Sequence, residues 1–376
     1  MLLWYFNNGR LRLLFMALIV ILTGGIGLIY HWQNETGEES LPQSTEVPQL
    51  AVPSDDPLAN IRLADILVAE PRPTPGRSIF FHETSCYDAK NKEYNHLMKL
   101  NARQACAIES AALHNPNSQV FVLFVDRKYR LLVDSNGGNR WNQQPFIDAI
   151  LSYKNVNLRR LNLWRYTADT PMEEWLKDGN LFGSQYMVSH ISDFLRYLTL
   201  YRYGGLYLDM DVVVLQKMED LPPNYTGAES DSTLGAGVMR LAATGFGHEI
   251  AKSCLLDFQQ NFDGKEWGTN GPGVITRVAQ QICGTKNISV MLENRKRCLG
   301  FMVFGCSAFY AIENWPGFFD PKRLEKTMAR TKDSYVVHVW NSQSHKEPIK
   351  VGSDTAYAKY AEKNCPRAYE AAGEYF

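Results

Sequence analysis

Asp209 and Asp211 stand two apart in the run Tyr203-Gly204-Gly205-Leu206-Tyr207-Leu208-Asp209-Met210-Asp211, with Val212-Val213-Val214-Leu215 behind them. On an extended segment that spacing projects both carboxylates to one side, about 7 Å apart along the chain. Two carboxylates among apolar neighbours are costly to bury unless something neutralises them, and a hard divalent cation does so. Oxygen ligands select magnesium, manganese or calcium over softer ions, and such an ion bridges the negative oxygens of a diphosphate. The competing assignment, a surface turn, is argued against by the apolar residues on both flanks.

Upstream, Asp193 and Arg196 lie in a stretch where Ile191, Phe194, Leu195, Leu198 and Tyr201 recur at helical spacing. Three apart, the two charged residues share a helix face and reach one ligand together. Ser189 is the expected N-cap, and Gly204-Gly205 the expected terminator ahead of a strand that begins at Leu206. Downstream, Trp267-Gly268-Thr269-Asn270-Gly271-Pro272-Gly273 reads by itself as a rigid turn linking two helices. His338, within Tyr335-Val336-Val337-His338-Val339-Trp340, reads by itself as a hydrogen-bonded core residue.

The elements that must hold these residues alternate between strand and helix patterns from Arg77 onward, which predicts an α/β domain. Ser78–Phe81 and Val120–Val125 are short apolar runs suited to strands buried on both faces. Between them Leu97, Leu100, Ala105, Ile108 and Ala112 give Tyr94–Leu113 a helical face. Asn157–Trp164 is a further short strand, and no internal repeat is present.

The rest of the 376-residue chain is organised differently. Thirty-nine basic against forty acidic residues leave no electropositive field, so no nucleic-acid partner is expected. Leu13–Tyr30 carries no charge, long enough as a helix for a membrane's hydrocarbon core, with Arg10 and Arg12 before it and Glu35, Glu38 and Glu39 after. The expectation is a cytosolic tail at 1–12, a transmembrane signal-anchor helix at 13–32, a Pro-rich stem at 33–75 and one lumenal domain at 76–376; a cleaved signal peptide is the alternative. A short helix around Leu58–Ala69 is a satellite within the stem. Seven cysteines without a C-x-x-C pair favour disulfides in an oxidising lumen, Cys283 with Cys298 first and Cys86 with Cys106 second. Asn34, Asn224 and Asn287 open glycosylation sequons.

Taken together, Asp193-x-x-Arg196 with the run Tyr203 to Asp211 resembles the signature of DXD-containing glycosyltransferases. The Trp267–Gly273 and Val337-His338-Val339-Trp340-Asn341 blocks are similar to those of its alpha-1,4-galactosyltransferase and alpha-1,4-N-acetylgalactosaminyltransferase branch. The resemblance runs from about Ile79 to the carboxyl terminus. It implies a single nucleotide-sugar-binding, Rossmann-like domain of the GT-A type. It also implies a retaining transferase in the Golgi membrane, single-pass and type II, that moves galactose or N-acetylgalactosamine from a UDP-sugar in α(1,4) linkage to a glycosphingolipid. Manganese, with magnesium as an alternative, would sit on Asp211, Asp209 and His338. Asp193, Arg196, Tyr207, Asp209, Gly204 and Gly205 would hold the donor, and Trp267, Asn270, Gly271 and Trp340 the transferred or acceptor sugar. A mannosyltransferase acting on glycoproteins and a glycan-binding protein without turnover are the alternatives. Leu234-Gly235-Ala236-Gly237 departs from the asparagine-containing form of that branch.

Overall fold

The computed structural model describes residues 63–85, 100–125, 144–313 and 315–376. The expected anchor, Asn34 and Cys86 lie outside them, and among the described residues no helix is long and apolar enough to cross a membrane.

Apolar runs set the central strands. β1 (Ile79–Glu83) and β2 (Val120–Val125) are buried along their whole length and pair in parallel, Ile79 opposite Val120. Helix α1 (Ala102–His114) links them, beginning where Asn101 and Gln104 form a reciprocal capping box rather than at Tyr94. Helix α2 (Gln144–Leu151) leads to β3 (Val156–Leu161), parallel to β2. Helix α3 (Met187–Tyr203) and β4 (Gly205–Leu208) follow, and β4 returns parallel to β1 on its other edge.

The chain then reverses. β5 (Val212–Val214) leaves the sheet, while β6 (Tyr225–Ala228) and β7 (Leu234–Leu241) form an antiparallel pair whose β7 joins β4. Helices α4 (Gly245–Asn261) and α5 (Pro272–Cys283) precede β8 (Met302–Phe304), parallel to β6. The seven-stranded mixed sheet runs β3-β2-β1-β4-β7-β6-β8. β9 (Val336–His338) pairs antiparallel with β5, placing His338 opposite Val212, and α6 (Ala356–Asn364) and α7 (Pro366–Ala371) end the chain.

The sheet separates two hydrophobic layers by strand alternation. Ile79, Phe81, Val122 and Phe124 face α1 and the carboxyl-terminal helices; Phe80, Phe121 and Leu123 face α3, α4 and α5. Because β1 continues to β2 on one side and neighbours β4 on the other, the sheet's topological switch lies at the carboxyl ends of β1 and β4, where α/β sheets form ligand crevices.

Several expectations change. Residues 63–75, assigned by sequence to the stem, pack on the domain: Ile66 is buried and donates its N–H to Arg160, and Asp65 takes ion pairs from Arg160 and Arg165. No helix forms over 63–69. Cys106 bonds Cys365, not Cys86, because α7 packs against α1 and brings the residue before it opposite Cys106; the Cys283–Cys298 disulfide forms as expected. Cys254 and Cys306 are free. Asn224, half-buried just before β6, accepts the Ala242 N–H on Oδ1 and precedes a buried Thr226, so that sequon is engaged by the fold. Asn287, by contrast, is exposed and caps a short helix, Ile288–Glu293.

Candidate active site

Helix α3 starts one turn earlier than Ser189 indicates, after Tyr186 and without a side-chain cap. It ends as expected at Gly204, with φ +61°, followed by Gly205 at φ +91°. A Cβ on Gly204 would lie 2.5 Å from the Ala243 nitrogen, and one on Gly205 2.3 Å from the Ser78 oxygen. Both glycines therefore serve the close seating of β4 between its neighbours. Neither lines the cleft, which corrects their expected place in a donor site.

β4 stops at Leu208, and Met210 and Asp211 form a turn rather than the extended segment expected. Pairing of the Asp209 N–H with Gly237 and of the Asp211 carbonyl with the Val339 N–H holds the two ends of this corner. The corner brings both carboxylates against β9. His338 Nε2 lies 3.1 Å from Asp211 and 3.7 Å from Asp209. One ligand atom from each of Asp209, Asp211 and His338 falls within 4.8 Å of the others. Two carboxylate oxygens and an imidazole nitrogen fit a divalent cation of the manganese or magnesium kind. Gly237 leaves the room, since a Cβ there would meet Asp209 Oδ2 at 2.7 Å.

The electrostatics follow from burial and crowding. Burial disfavours a charged His338, but the two aspartates outweigh it and raise its pKa to about 10. Asp209 is held well below the usual carboxylate range, with Arg196, His338 and the Tyr207 hydroxyl overcoming the cost of burial. Asp193 is pushed the other way, to about 7, because burial outweighs its Arg196 partner.

Arg196 lines the cleft and is at the same time held by its neighbours. Its Nε donates to the Ser192 carbonyl, one terminal nitrogen serves Ala236 O at 2.9 Å and Asp209 at 3.1 Å, and the other serves Ser192 Oγ at 3.2 Å and Asp193 at 3.0 Å. Three of its N–H groups thus make hydrogen bonds within the protein, and its charge is shared by two aspartates. The guanidinium also lies 4.8 Å from the Tyr207 ring centre, and the Tyr207 hydroxyl donates to Asp209 at 2.7 Å. Arg196 and Tyr207 therefore brace the carboxylates.

Two adjoining pockets, of about 260 and 120 Å³, share Arg196, Asp209, Asp211 and Ser342. The first is polar, reaching His82, Glu83, Gln104 and Ser192 at the carboxyl end of β1. Sequence reasoning missed these; polar residues closing an apolar strand were the available signal. His82 Nε2 shares a hydrogen bond with Thr199 Oγ1 at 2.9 Å, its Nδ1 meets no partner among the described residues, and burial with Arg196 nearby lowers its pKa to about 3. The second pocket is lined by Asp193, Glu229, Tyr310, Trp267 and Trp340.

Of the expected sugar contacts, Trp267 is half exposed at the second pocket's edge, and Trp340 lines it from a left-handed backbone, φ +56°. Trp340 is fixed there by Nε1 donating to Ile312 O. Asn270 is a structural residue instead: it is 1% exposed and spends its amide on His190 and on both backbone groups of Asp263. Gly271 shapes the wall, because a Cβ there would collide with Asp193 at 2.4 Å.

Comparison with known proteins agrees with this arrangement. A family model described as a glycosyltransferase sugar-binding region containing the DXD motif matches residues 101–228, and one described as an alpha 1,4-glycosyltransferase conserved region matches 243–372. Human lactosylceramide 4-alpha-galactosyltransferase is 30% identical over 305 residues, 80% of this chain and 78% of that protein. The rat protein of the same name is 29% identical over 92% of this chain and 86% of its own. Human alpha-1,4-N-acetylglucosaminyltransferase is 26% identical over 78% of this chain and 80% of its own. Among solved structures, the galactosyltransferase LgtC with donor and acceptor sugar analogs aligns over 79% of this chain and 95% of that one. Its identity is 14% and its TM-score 0.34, too loose a likeness to carry an argument.

Proposed function

The chain belongs to the alpha-1,4-glycosyltransferase family, and from that premise we propose that it moves a hexose from a UDP-sugar, in α(1,4) linkage, to the terminal sugar of a glycosphingolipid. Galactose and N-acetylgalactosamine are the donors expected from sequence. The N-acetylglucosaminyltransferase among the relatives adds N-acetylglucosamine to them. The observation that carries the reading is the convergence of Asp209, Asp211 and His338 between a polar and an aromatic pocket at the sheet's switch point.

Asp209, Asp211 and His338 would hold manganese or magnesium, which when bound offsets the charge of the diphosphate leaving group. Tyr207 and Arg196 orient Asp209, and the Asn341 N–H orients Asp211 at 2.8 Å. The polar pocket at β1 suits the nucleoside, and Trp267 and Trp340 suit the apolar faces of sugar rings. An α donor yielding an α product requires retention, and the proposal is front-face attack, with the leaving phosphate oxygen taking the acceptor proton. Trapping a covalent glycosyl adduct on a protein carboxylate would overturn that step.

The apolar segment at 13–32 and two disulfides in the domain support a type II Golgi orientation with the domain in the lumen. A screen of the full chain with UDP-galactose, UDP-N-acetylgalactosamine and UDP-N-acetylglucosamine against a glycolipid panel, with manganese or with EDTA, tests the function. Metal-dependent product with at least one donor is expected. Glycan binding without UDP release from any donor would replace the enzyme with a lectin.

A further inference from the structure

In the aromatic pocket every carboxylate but one is engaged by the protein. Asp193 holds Arg196; Asp209 is shared by Arg196 and Tyr207; Asp211 takes His338 and the Asn341 N–H. Glu229 is the exception, since among the described residues its carboxylate accepts no hydrogen bond and forms no ion pair. It is nevertheless half-buried, and burial raises its carboxyl above the ordinary value, against the opposing pull of His338. A carboxylate in such a place costs stability until a donor satisfies it.

The backbone around Glu229 is fixed. Glu229 closes β6, its N–H donating to Thr233 O at 2.9 Å across the turn into β7, and Leu234 N–H donates to Thr276 Oγ1 on α5 at 2.9 Å. Asp231 and Ser232 at the tip of that turn are exposed, and so is Trp267 on the same pocket. The unpaired carboxylate thus shares the pocket with the exposed Trp267 and sits beside an exposed turn.

We propose that Glu229 positions the acceptor, accepting a hydrogen bond from a hydroxyl of the incoming sugar while Trp267 covers that sugar's apolar face. This assignment rests on the glycosyltransferase reading. A neutral hydroxyl donor is the matching chemistry, because a carboxylate accepts strongly from it and the adjacent indole adds ring contact.

The test measures two fates of UDP-galactose on the full chain, transfer to lactosylceramide in detergent and hydrolysis without acceptor, for the wild type, Glu229→Ala and Glu229→Gln. Glu229→Ala should lower the transfer-to-hydrolysis ratio by about tenfold or more and raise the acceptor KM. Glu229→Gln, which keeps an accepting oxygen, should recover most of the ratio. An unaltered ratio in Glu229→Ala overturns the assignment. So does a parallel collapse of transfer and hydrolysis, which places the residue on the donor. Manganese-dependent UDP binding by the wild type is measured first; its absence removes the glycosyltransferase reading itself, separately from any role of Glu229.

Discussion

Arg196 shows how one side chain lining a cleft also braces two aspartates. Its N–H groups hydrogen-bond Ser192 and Ala236 while its charge is shared by Asp193 and Asp209, so it sets the orientation of the aspartate that faces the cleft. Arg196→Lys keeps the charge but not the planar fork. It should cost about 2–4 kcal/mol of unfolding free energy and lower transfer. An unchanged melting temperature with only a raised donor KM would mean instead that Arg196 is a direct donor ligand. Asp211→Asn removes a charge from the Asp209–Asp211–His338 cluster, and manganese affinity and transfer should each fall about 100-fold or more; retained manganese titration would overturn the assignment. The aspartates and Arg196 were legible from their spacing, and His338 and the two tryptophans from the blocks that carry the resemblance. Glu229 and His82 were not, because a strand ending in one polar residue carries no sign of which pocket it meets. Asn270 was misread for the complementary reason: a loop amide looks alike whether it binds a ligand or closes on Asp263.

Strands and helices were legible where apolar period and glycine stops agreed, as in β2 and the end of α3. The pairing of β5 with β9 was not, since nothing local in Val212–Val214 points to Val336–His338. That pairing is what turns an expected straight strand into a corner and delivers His338 to both aspartates. β1 and α3 meet through His82 Nε2 and Thr199 Oγ1, and His82 is neutral there, because burial and Arg196 hold the folded-state pKa near 3 against 6.5 for an ordinary histidine. The unfolded chain therefore takes up the proton before the folded one does. This group's contribution to stability is fully present above pH 6.5 and is lost as pH falls from 6.5 towards 3. His82→Gln keeps a polar group for Thr199 without the titration. Denaturant unfolding at pH 7 and pH 5 should show a smaller acid loss in the variant, and equal losses in both proteins would remove His82 as the source.

Across the whole molecule, the two disulfides do unequal work. Cys283–Cys298 spans 15 residues at the end of α5, whereas Cys106–Cys365 spans 259 and joins α1 to the start of α7. Cross-linking constrains the unfolded chain more as the closed loop lengthens, so the long bridge contributes about 5 kcal/mol in the chain-entropy account and the short one about 3. The long bridge also stabilises the site from behind. Ser110 on α1 accepts the Val214 N–H of β5, and Glu109 accepts the Arg367 and Ala368 N–H groups of α7. Loosening α1 from α7 therefore loosens the strand that sets the aspartate corner. The double variant Cys106→Ser, Cys365→Ser should lower the melting temperature by about 10 °C, and Cys283→Ser, Cys298→Ser by clearly less. Transfer by the first variant should also decay at a lower temperature than its global unfolding, read by following product formation and circular dichroism over one temperature series. If the two double variants melt together, or if activity and fold are lost at one temperature, the long bridge secures only the chain's end, and the corner owes its rigidity to the β5–β9 pair alone.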